Sequence, residues 1–397
     1  MSMTIESSQG NCLNDRIFFV LSSTNSSNTN YKYVADVYVD GNLIARLKVY
    51  PDGDNYGIFE VSNIVRDYVK DYFDTEEGYI FNATQTDDIK VEYEMKFGEE
   101  YGGTLYTNQV SGSYVGYNYY RNPFYPSTKD NITDFDFNWL TERDISKIEC
   151  EFDVPLFVSF FGNQAQPFTV DDIVLTTYDQ NWASVDTVNI TYVTGSDLSI
   201  YNICGYAIDE SILTTSTYGY GIKITYSNGG SNYETPEIRV KVACTNTRTT
   251  MPLHFMNRLG GYDSLHFTLV NKQAINVVSK EFKRSDWVST GNGTMSNSSP
   301  FDGSKYNAGR IKYSTEQTTS YILRSDWMNE KDYTWAKQLI ASNDVYVSIK
   351  EDNSYEWQTY PVIIKTTNWQ EKKRASDKMF NLEIEMELSN TTYSQFR

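Results

Sequence analysis

The sequence has few of the residues that build catalytic and metal sites. Its 397 residues include only two histidines, His254 and His266, and four cysteines, which are widely spaced with no C-x-x-C pair. The lack of that pair argues against a zinc ribbon or a thioredoxin-like redox motif. The patterns of a serine nucleophile elbow, a P-loop and a dinucleotide-binding fingerprint are also missing. We therefore expect no enzymatic activity, no cofactor and no metal.

Basic residues and long apolar runs are also scarce. Lys and Arg total 34 against 52 Asp and Glu, a formal net charge of −18, which would repel a phosphate backbone. No stretch approaches the roughly 18 apolar residues of a membrane-spanning helix, and residues 1–16 lack the pattern of a signal peptide. We expect synthesis in the cytoplasm, no membrane contact and no specific nucleic-acid binding. The one basic cluster, at 371–378, reads as a solvated hairpin tip.

Aromatic and short polar residues are abundant instead. The chain contains 33 Tyr and 20 Phe and is rich in Thr, Ser and Asn, which favours strands and turns. The fold class predicted is mainly β, with several β-sandwich or barrel-like domains and one or two packing helices. Three domains are expected: residues 1–122 with a hairpin and a packing helix, a central sandwich-like domain at 123–273, and a domain with one helix at 274–397.

Three local patterns are clear. Apolar residues alternate on both sides of Asp40-Gly41 in residues 31–50, which predicts a tight β-hairpin. A helix is expected from Ser62 as N-cap, with the apolar face Ile64, Val65, Tyr68, Val69 and Tyr72. A second helix is expected at 329–341, capped by Asn329, with Trp335, Leu339 and Ile340 facing inward.

The two histidines flank a Leu-Gly-Gly sequence in "MPLHFMNRLGGYDSLHF". If Gly260-Gly261 is the tip of a wide hairpin, His254 and His266 become cross-strand neighbours on one face. Two facing imidazoles can begin a zinc or copper site, but only Asp263 is near enough to be a third ligand. The favoured interpretation is two surface or interface histidines on strands.

Two other patterns concern a calcium-binding loop and a pair of catalytic carboxyl groups. "DGDNYG" at 52–57 places Asp52, Asp54 and Gly57 at calcium-loop positions 1, 3 and 6, but Tyr56 and Asn63 occupy positions where an EF-hand has ligands. A glycosidase needs two suitably spaced carboxyl groups, and directly adjacent acids on a strand point to opposite faces. Neither pattern favours a site.

Tyrosine provides the positive signal. Its large rigid ring with a polar end is enriched at protein interfaces and sugar-binding surfaces. The run "YVGYNYYRNPFYP" at 114–126 predicts a contact strip, although a Tyr-rich edge covered within the same chain is an equally ordinary explanation. The candidate interface residues are Tyr114, Tyr117, Tyr119, Tyr120, Arg121, Phe124 and Tyr125.

Several segments resemble virion structural proteins of tailed phages that infect Bacteroidetes, including crAss-like phages. They are "YKYVADVYVDGNLIARLKVYPDGDNYGIFEVSNIVRDYV", "NRLGGYDSLHF", "LRSDWMNEKDYTWAKQLIASNDVYVSI" and "YPVIIKTTNWQ". The resemblance implies a non-enzymatic component of the tail or of the rings that join portal to tail. Such a component forms a homo-oligomeric ring in the virion, contacts neighbouring portal or tail proteins, and lets DNA pass through its lumen.

The same resemblance suggests a structural role for the histidine segment. "NRLGGYD" would be a turn in which Gly260 and Gly261 adopt positive φ and Arg258 bridges to Asp263. The alternative function is a receptor-binding or carbohydrate-binding tail-tip protein, and a polysaccharide depolymerase ranks below it.

Overall fold

The fold is that of a computed structural model with 25 strands and three short helices in the described part of the chain. The described residues are 3–9, 12–69, 82–86, 90–119, 138–151, 154–161, 168–191, 200–205, 217–228, 231–243, 250–269, 271–284, 309–350, 357–366 and 379–393.

The described part of the N-terminal half contains 13 strands and one short helix. They are β1 Met3–Gln9, β2 Phe18–Ser23, β3 Lys32–Val39, β4 Asn42–Val49, β5 Gly57–Glu60, α1 Ser62–Arg66, β6 Asn82–Thr86, β7 Lys90–Tyr101, β8 Thr104–Tyr117, β9 Asn138–Trp139, β10 Ile148–Glu151, β11 Leu156–Phe161, β12 Phe168–Tyr178 and β13 Ser184–Thr191.

The described part of the C-terminal half contains 12 strands and two short helices. It contains β14 Ile200–Gly205, β15 Gly219–Asn228, β16 Ser231–Glu234, β17 Ile238–Ala243, β18 Met251–Met256, β19 Tyr262–Phe267, β20 Lys272–Arg284, β21 Gly309–Arg324, α2 Glu330–Ala336, α3 Gln338–Ala341, β22 Val345–Lys350, β23 Trp357–Ile364, β24 Glu383–Leu388 and β25 Thr392–Tyr393.

The N-terminal unit combines a three-stranded sheet, β1-β2-β5, with a four-stranded sheet, β4-β3-β7-β8. Both sheets contribute to one core, in which Phe97 contacts the rings of Phe19 and Phe59. The predicted hairpin is confirmed: β3 and β4 pair across Asp40 and Gly41, whose φ values are +51° and +75°. Those positive φ values are what a tight hairpin turn requires, and Asp-Gly supplies them.

The first helix differs from its prediction. The Ser62 side chain does not cap it; its backbone N–H and hydroxyl both bond to the Glu60 carboxylate. The helix ends at Arg66, and the Tyr68 side chain is exposed. The expected face residue Tyr72 lies outside the described residues. The helix therefore has five residues and no side-chain cap at its start.

The central unit is a sandwich of a six-stranded and a four-stranded sheet. The first has the order β10-β17-β15-β12-β13 with β16 beside β15, and the second has the order β6-β14-β11-β9. Inward-facing Val158 and Phe160 of β11 share a core with Ile173, Ile222 and Ile224 of the larger sheet. The alternation of apolar residues along each strand builds this core, as expected for a sandwich.

The C-terminal unit is an eight-stranded sheet, in the order β19-β18-β22-β23-β24-β21-β20 with β25 beside β21, onto which α2 and α3 pack. The helix predicted at 329–341 is confirmed as two consecutive short helices. Asn329 caps α2, because its Oδ1 accepts from the Asp332 N–H at 2.9 Å. Trp335 and Leu339 are buried against the sheet, and Ile340 is partly buried there.

The mainly β fold class is confirmed. Strand pairing crosses two of the predicted domain limits: β6 joins the central sheet through β14, and β18 joins the C-terminal sheet through β22. None of the helices within these ranges has the length and apolar character needed to span a lipid bilayer.

Candidate functional site

The segment that carries both histidines is a closed turn between β18 and β19. The Asn257 backbone N–H donates to the Gly261 carbonyl at 2.7 Å. The Asn257 side-chain oxygen accepts from the N–H groups of Leu259 at 2.9 Å and Gly261 at 3.2 Å. The Asn257 side chain therefore accepts two of the backbone N–H groups within the turn, and the outer side of the turn contacts other units.

The two glycines bring this turn against the other units. Gly260 has φ +81°, and a Cβ there would collide with the Asn118 carbonyl oxygen of the N-terminal unit. A Cβ on Gly261 would lie 2.6 Å from Cβ of Ser159 and 2.9 Å from Cβ of Leu140, both in the central unit. Only Gly260 has the positive φ that was expected of both residues. Gly261 is needed for close approach instead.

His254 is buried within a hydroxyl network. Its Nδ1 lies 2.8 Å from Ser264 Oγ and its Nε2 lies 2.9 Å from Ser348 Oγ. The strand register places His254 opposite Ser264 and His266 opposite Pro252, so the histidines are diagonal neighbours and not directly paired. Burial, with a smaller contribution from His266, lowers the pKa of His254 well below its usual value of 6.5. The imidazole therefore stays neutral.

His266 is buried on the same face of the hairpin. Its Nε2 lies 3.0 Å from the Pro155 carbonyl oxygen and 3.9 Å from Cys150 Sγ. Burial lowers the pKa of His266 to about 4 and raises the pKa of the Cys150 thiol to about 12. Both histidines lie on strands, as expected, but the expectation that they are at the surface is wrong, because both are buried. Phe157 packs on His254, and Pro155 and Cys150 lie against His266.

Asp263 lies at the centre of the contact between the units. Its Oδ2 accepts from Trp335 Nε1 at 2.7 Å, Asn257 Nδ2 at 2.9 Å and Thr141 Oγ1 at 3.0 Å. Burial raises the pKa of this carboxyl group to about 6, and the three hydrogen bonds oppose the rise. A single carboxylate oxygen thus joins the β19 strand, the α2 helix and the loop before β10.

A cation completes this polar centre. The guanidinium of Arg143 lies 4.8 Å from the Trp335 ring centroid and donates to the Ser264 carbonyl oxygen at 3.1 Å. Burial lowers the pKa of Arg143, and Asp263 opposes that shift. The positive charge therefore faces the buried carboxylate and an aromatic ring.

Arg258 does not bridge to Asp263 as expected. Its guanidinium pairs with Glu142 of the central unit, and its backbone N–H donates to Gln338 Oε1 at 2.8 Å. Gln338 Nε2 donates in turn to Glu142 at 2.5 Å. The loop is held to its neighbours by residues about 80 and 116 positions away in sequence, which no local pattern indicates.

This arrangement, called the junction below, comprises the 257–267 segment with Thr141, Glu142, Arg143, Trp335 and Gln338. Ser264 and His254 are within hydrogen-bond distance, but the second imidazole nitrogen meets the Ser348 hydroxyl where a catalytic triad has a carboxylate. Within the described part of the chain, no three His, Cys, Asp or Glu side chains form a group that could hold a metal ion. The buried polar groups of the junction join β19, α2 and the loop before β10.

Three residues of the predicted Tyr-rich strip pack within the chain. Tyr114 contacts the rings of Phe19 and Tyr93. Tyr117 and Tyr119 are buried with Leu140 and Leu259 where the N-terminal unit meets the junction. The covered-edge alternative describes these three. Tyr120, Arg121, Phe124 and Tyr125 lie outside the described residues, and the interface there stays a prediction.

A group of exposed apolar side chains lies on β20. Its exposed side chains include Ile275, Val277, Val278 and Phe282. The β-branched residues here favour a strand, but its exposure follows from the position of β20 at the end of its sheet. The sequence does distinguish this strand by its charge. Residues 272–284 carry four basic side chains and one acidic side chain, in a chain of net charge −18.

The loop at 52–57 is closed by the Asp52 side chain. Asp52 Oδ1 accepts from the N–H groups of Asp54 at 2.9 Å and Tyr56 at 2.8 Å, so that oxygen satisfies the turn. The basic cluster at 371–378 lies outside the described residues.

Comparison with known proteins adds little. No family model matches the chain, and no curated protein matches it. Among solved structures, a chain named BspA_C_WT aligns over 57% of this chain and 93% of its own length, at 8% identity and a TM-score of 0.14. That likeness is too weak to assign the fold to a family.

Proposed function

We propose that this protein is a non-enzymatic structural component of a phage virion. In this proposal it forms a homo-oligomeric ring of the tail or of the connector between portal and tail, and contacts neighbouring portal or tail proteins. The sequence resemblance to virion proteins of phages of Bacteroidetes supports this role, and so does the use of the most buried polar groups for joining sheets.

The observation that carries the proposal is the long exposed strand β20. An apolar edge strand presents both unpaired backbone groups and apolar side chains, which in monomeric proteins are normally blunted or covered. A component that works as an oligomer uses such an edge as a contact. The net charge of −18 also suits a ring whose lumen passes DNA without retaining it.

The test is the mass of the purified protein by light scattering coupled to size exclusion, with negative-stain images of any large species. A closed ring is the expected result. A trimer would favour the tail-tip alternative, and a monomer at every concentration would contradict the proposal.

One observation favours the alternative function, a receptor-binding or carbohydrate-binding tail tip. Trp182 has φ +59°, a conformation that bulky residues rarely adopt and that is concentrated at functional sites. It contacts the rings of Tyr178 and Tyr218, with the Arg239 guanidinium 5.7 Å from its centroid. This alternative requires quenching of Trp fluorescence by capsular polysaccharide and loss of quenching in Trp182→Leu; Trp327→Leu, an exposed tryptophan elsewhere, is the control.

A further inference from the structure

The β20 strand forms one end of the C-terminal sheet. Among the described strands it pairs with β21 alone. Its apolar side chains are exposed on both faces: Ile275 is 54% exposed, Val277 55% and Val278 62%. Residues 273–279 contain no charge and no proline. A seven-residue uncharged stretch of high β propensity on an open edge is an aggregation hazard unless it has a partner.

The charge of this hairpin indicates what kind of partner fits. β20 and β21 together contain seven basic and two acidic residues, a net charge of +5, while all other residues together carry −23. Lys280 and Lys283 are both exposed. A complementary surface should therefore be acidic, with an open strand edge of its own.

The chain itself has such a surface at β13, the last strand of the six-stranded central sheet. The β12–β13 hairpin, residues 168–191, contains four aspartates and no lysine or arginine. Among the described strands β13 pairs with β12 alone, so its other edge is open. Val185 on that strand is 67% exposed, and Asp186 beside it is exposed too. β13 thus has the two properties that the basic edge requires, an open edge and a place in an acidic hairpin, and it also has an exposed apolar side chain, Val185.

We propose that the β20 edge of one copy pairs with the β13 edge of a second copy, so that two sheets continue across the boundary between subunits. This inference rests on the proposed ring assembly and names the surfaces that build it. Because the two edges are different surfaces, the contact is heterologous. The copy that uses its β20 edge still has a free β13 edge, and the other copy still has a free β20 edge. Such a contact repeats from subunit to subunit until a ring closes.

The length of the strands suits this pairing. β20 has 13 residues and β13 has eight, so the whole of β13 can pair within β20. Backbone hydrogen bonds would supply affinity, and a lysine flanking the uncharged stretch would meet Asp186 of β13. The opposite charges also disfavour pairing of β20 with β20 or β13 with β13.

Charge reversal tests the inference with three variants. K280E/K283E reverses the basic edge, D186K/V185K reverses the acidic edge, and K147E/K331E makes the same change of charge as the first variant at exposed sites away from both edges. We expect each edge variant alone to weaken self-association at least about tenfold, and the control to assemble like the wild type. Circular dichroism should show all three to be folded.

Mixing the two edge variants is the decisive measurement. In an equimolar mixture every contact joins either two unaltered edges or two reversed edges of opposite charge, so large species should reappear by light scattering. Failure of the mixture to assemble, or unchanged assembly of either edge variant, would overturn the edge pairing while the ring of wild-type protein still stood. A wild-type protein that never self-associates would overturn both the pairing and the ring.

Discussion

At the scale of single residues, three buried titratable groups act in opposite directions on stability. Between about pH 4 and 6, folded Asp263 keeps a proton that the unfolded chain releases. Its contribution is full below pH 4 and is lost as the pH rises through 6. His254 and His266 resist protonation when folded, so their contribution is lost as the pH falls below 6.5. Asp263 therefore offsets part of the acid sensitivity of the histidines.

Replacing Asp263 by asparagine removes that offset. The unfolding free energy of D263N should fall with acid more steeply than that of the wild type, by about 1.4 kcal/mol per pH unit between pH 6 and 4. Urea unfolding from pH 4 to 7.5 measures this slope. The exposed Asp54→Asn is the control and should keep the wild-type slope. Equal slopes for D263N and the wild type would mean that Asp263 ionises normally.

Gly260 also acts at this scale, through the space around it. Gly260→Ala combines an unfavourable positive φ with a collision at the Asn118 carbonyl, whereas Gly41→Ala has a similar φ of +75° and open space. We expect about 1 kcal/mol of destabilisation for G41A and at least about 2–3 kcal/mol for G260A. Chemical denaturation of the two variants gives the difference. Equal effects would show that the turn can move away from the N-terminal unit.

At the scale of elements, the α2 helix links the C-terminal sheet to the junction. Its N-cap Asn329 holds the first turn, and its Trp335 and the following Gln338 reach the 257–267 segment. A change in this seven-residue helix should therefore be transmitted to the contact between the units.

Loss of the cap should be measurable. Asn329→Ala should lower the unfolding free energy by about 1 kcal/mol, because the Asp332 N–H loses its acceptor. Thr334→Ala, at an exposed site where the hydroxyl donates to the Glu330 carbonyl, should be neutral or slightly stabilising, since alanine favours helix. Thermal unfolding of both variants checks the contrast, and an unchanged midpoint for N329A would argue against the cap.

Elements with local signals could be predicted from the sequence, and elements set by distant contacts could not. Asp40-Gly41 and Asn329 determine their hairpin and helix within a few residues. The histidine register was missed by two residues because the Asn257 side chain, not the two glycines, closes the turn. Arg258 was assigned the wrong partner because Glu142 is more than a hundred residues away. The exposure of β20 depends on the order of strands in its sheet, which alternation does not encode.

At the scale of the whole molecule, we expect the junction to couple the unfolding of the N-terminal, central and C-terminal units. Asn257 carries much of this coupling, since its Nδ2 donates to the Leu140 carbonyl at 2.7 Å as well as to Asp263. Each unit also has its own apolar core. The units should therefore remain folded when the junction is weakened, but should unfold separately.

Calorimetry can distinguish the stability of each unit from the coupling between units. The wild type should unfold in one transition, and Asn257→Ala should split it into at least two, with the least stable unit losing about 2–3 kcal/mol as buried partners are left unpaired. Asn232→Ala, on the exposed β16 strand, should keep a single transition. A single unshifted transition in N257A would show that apolar contacts alone couple the units.

The wide separation of the junction's partners in sequence has a consequence for biosynthesis. Ser159 and Leu140 leave the ribosome about a hundred residues before the turn that covers them, and Gln338 follows about 80 residues later still. β24, which holds β21 to β23, is made after all of these. A nascent chain thus contains β20 before the rest of its sheet has been synthesised, and we expect this segment to need shielding from aggregation during translation. We expect that only a chain translated through β24 can hold the β20 edge in its sheet, so products terminated earlier should not assemble.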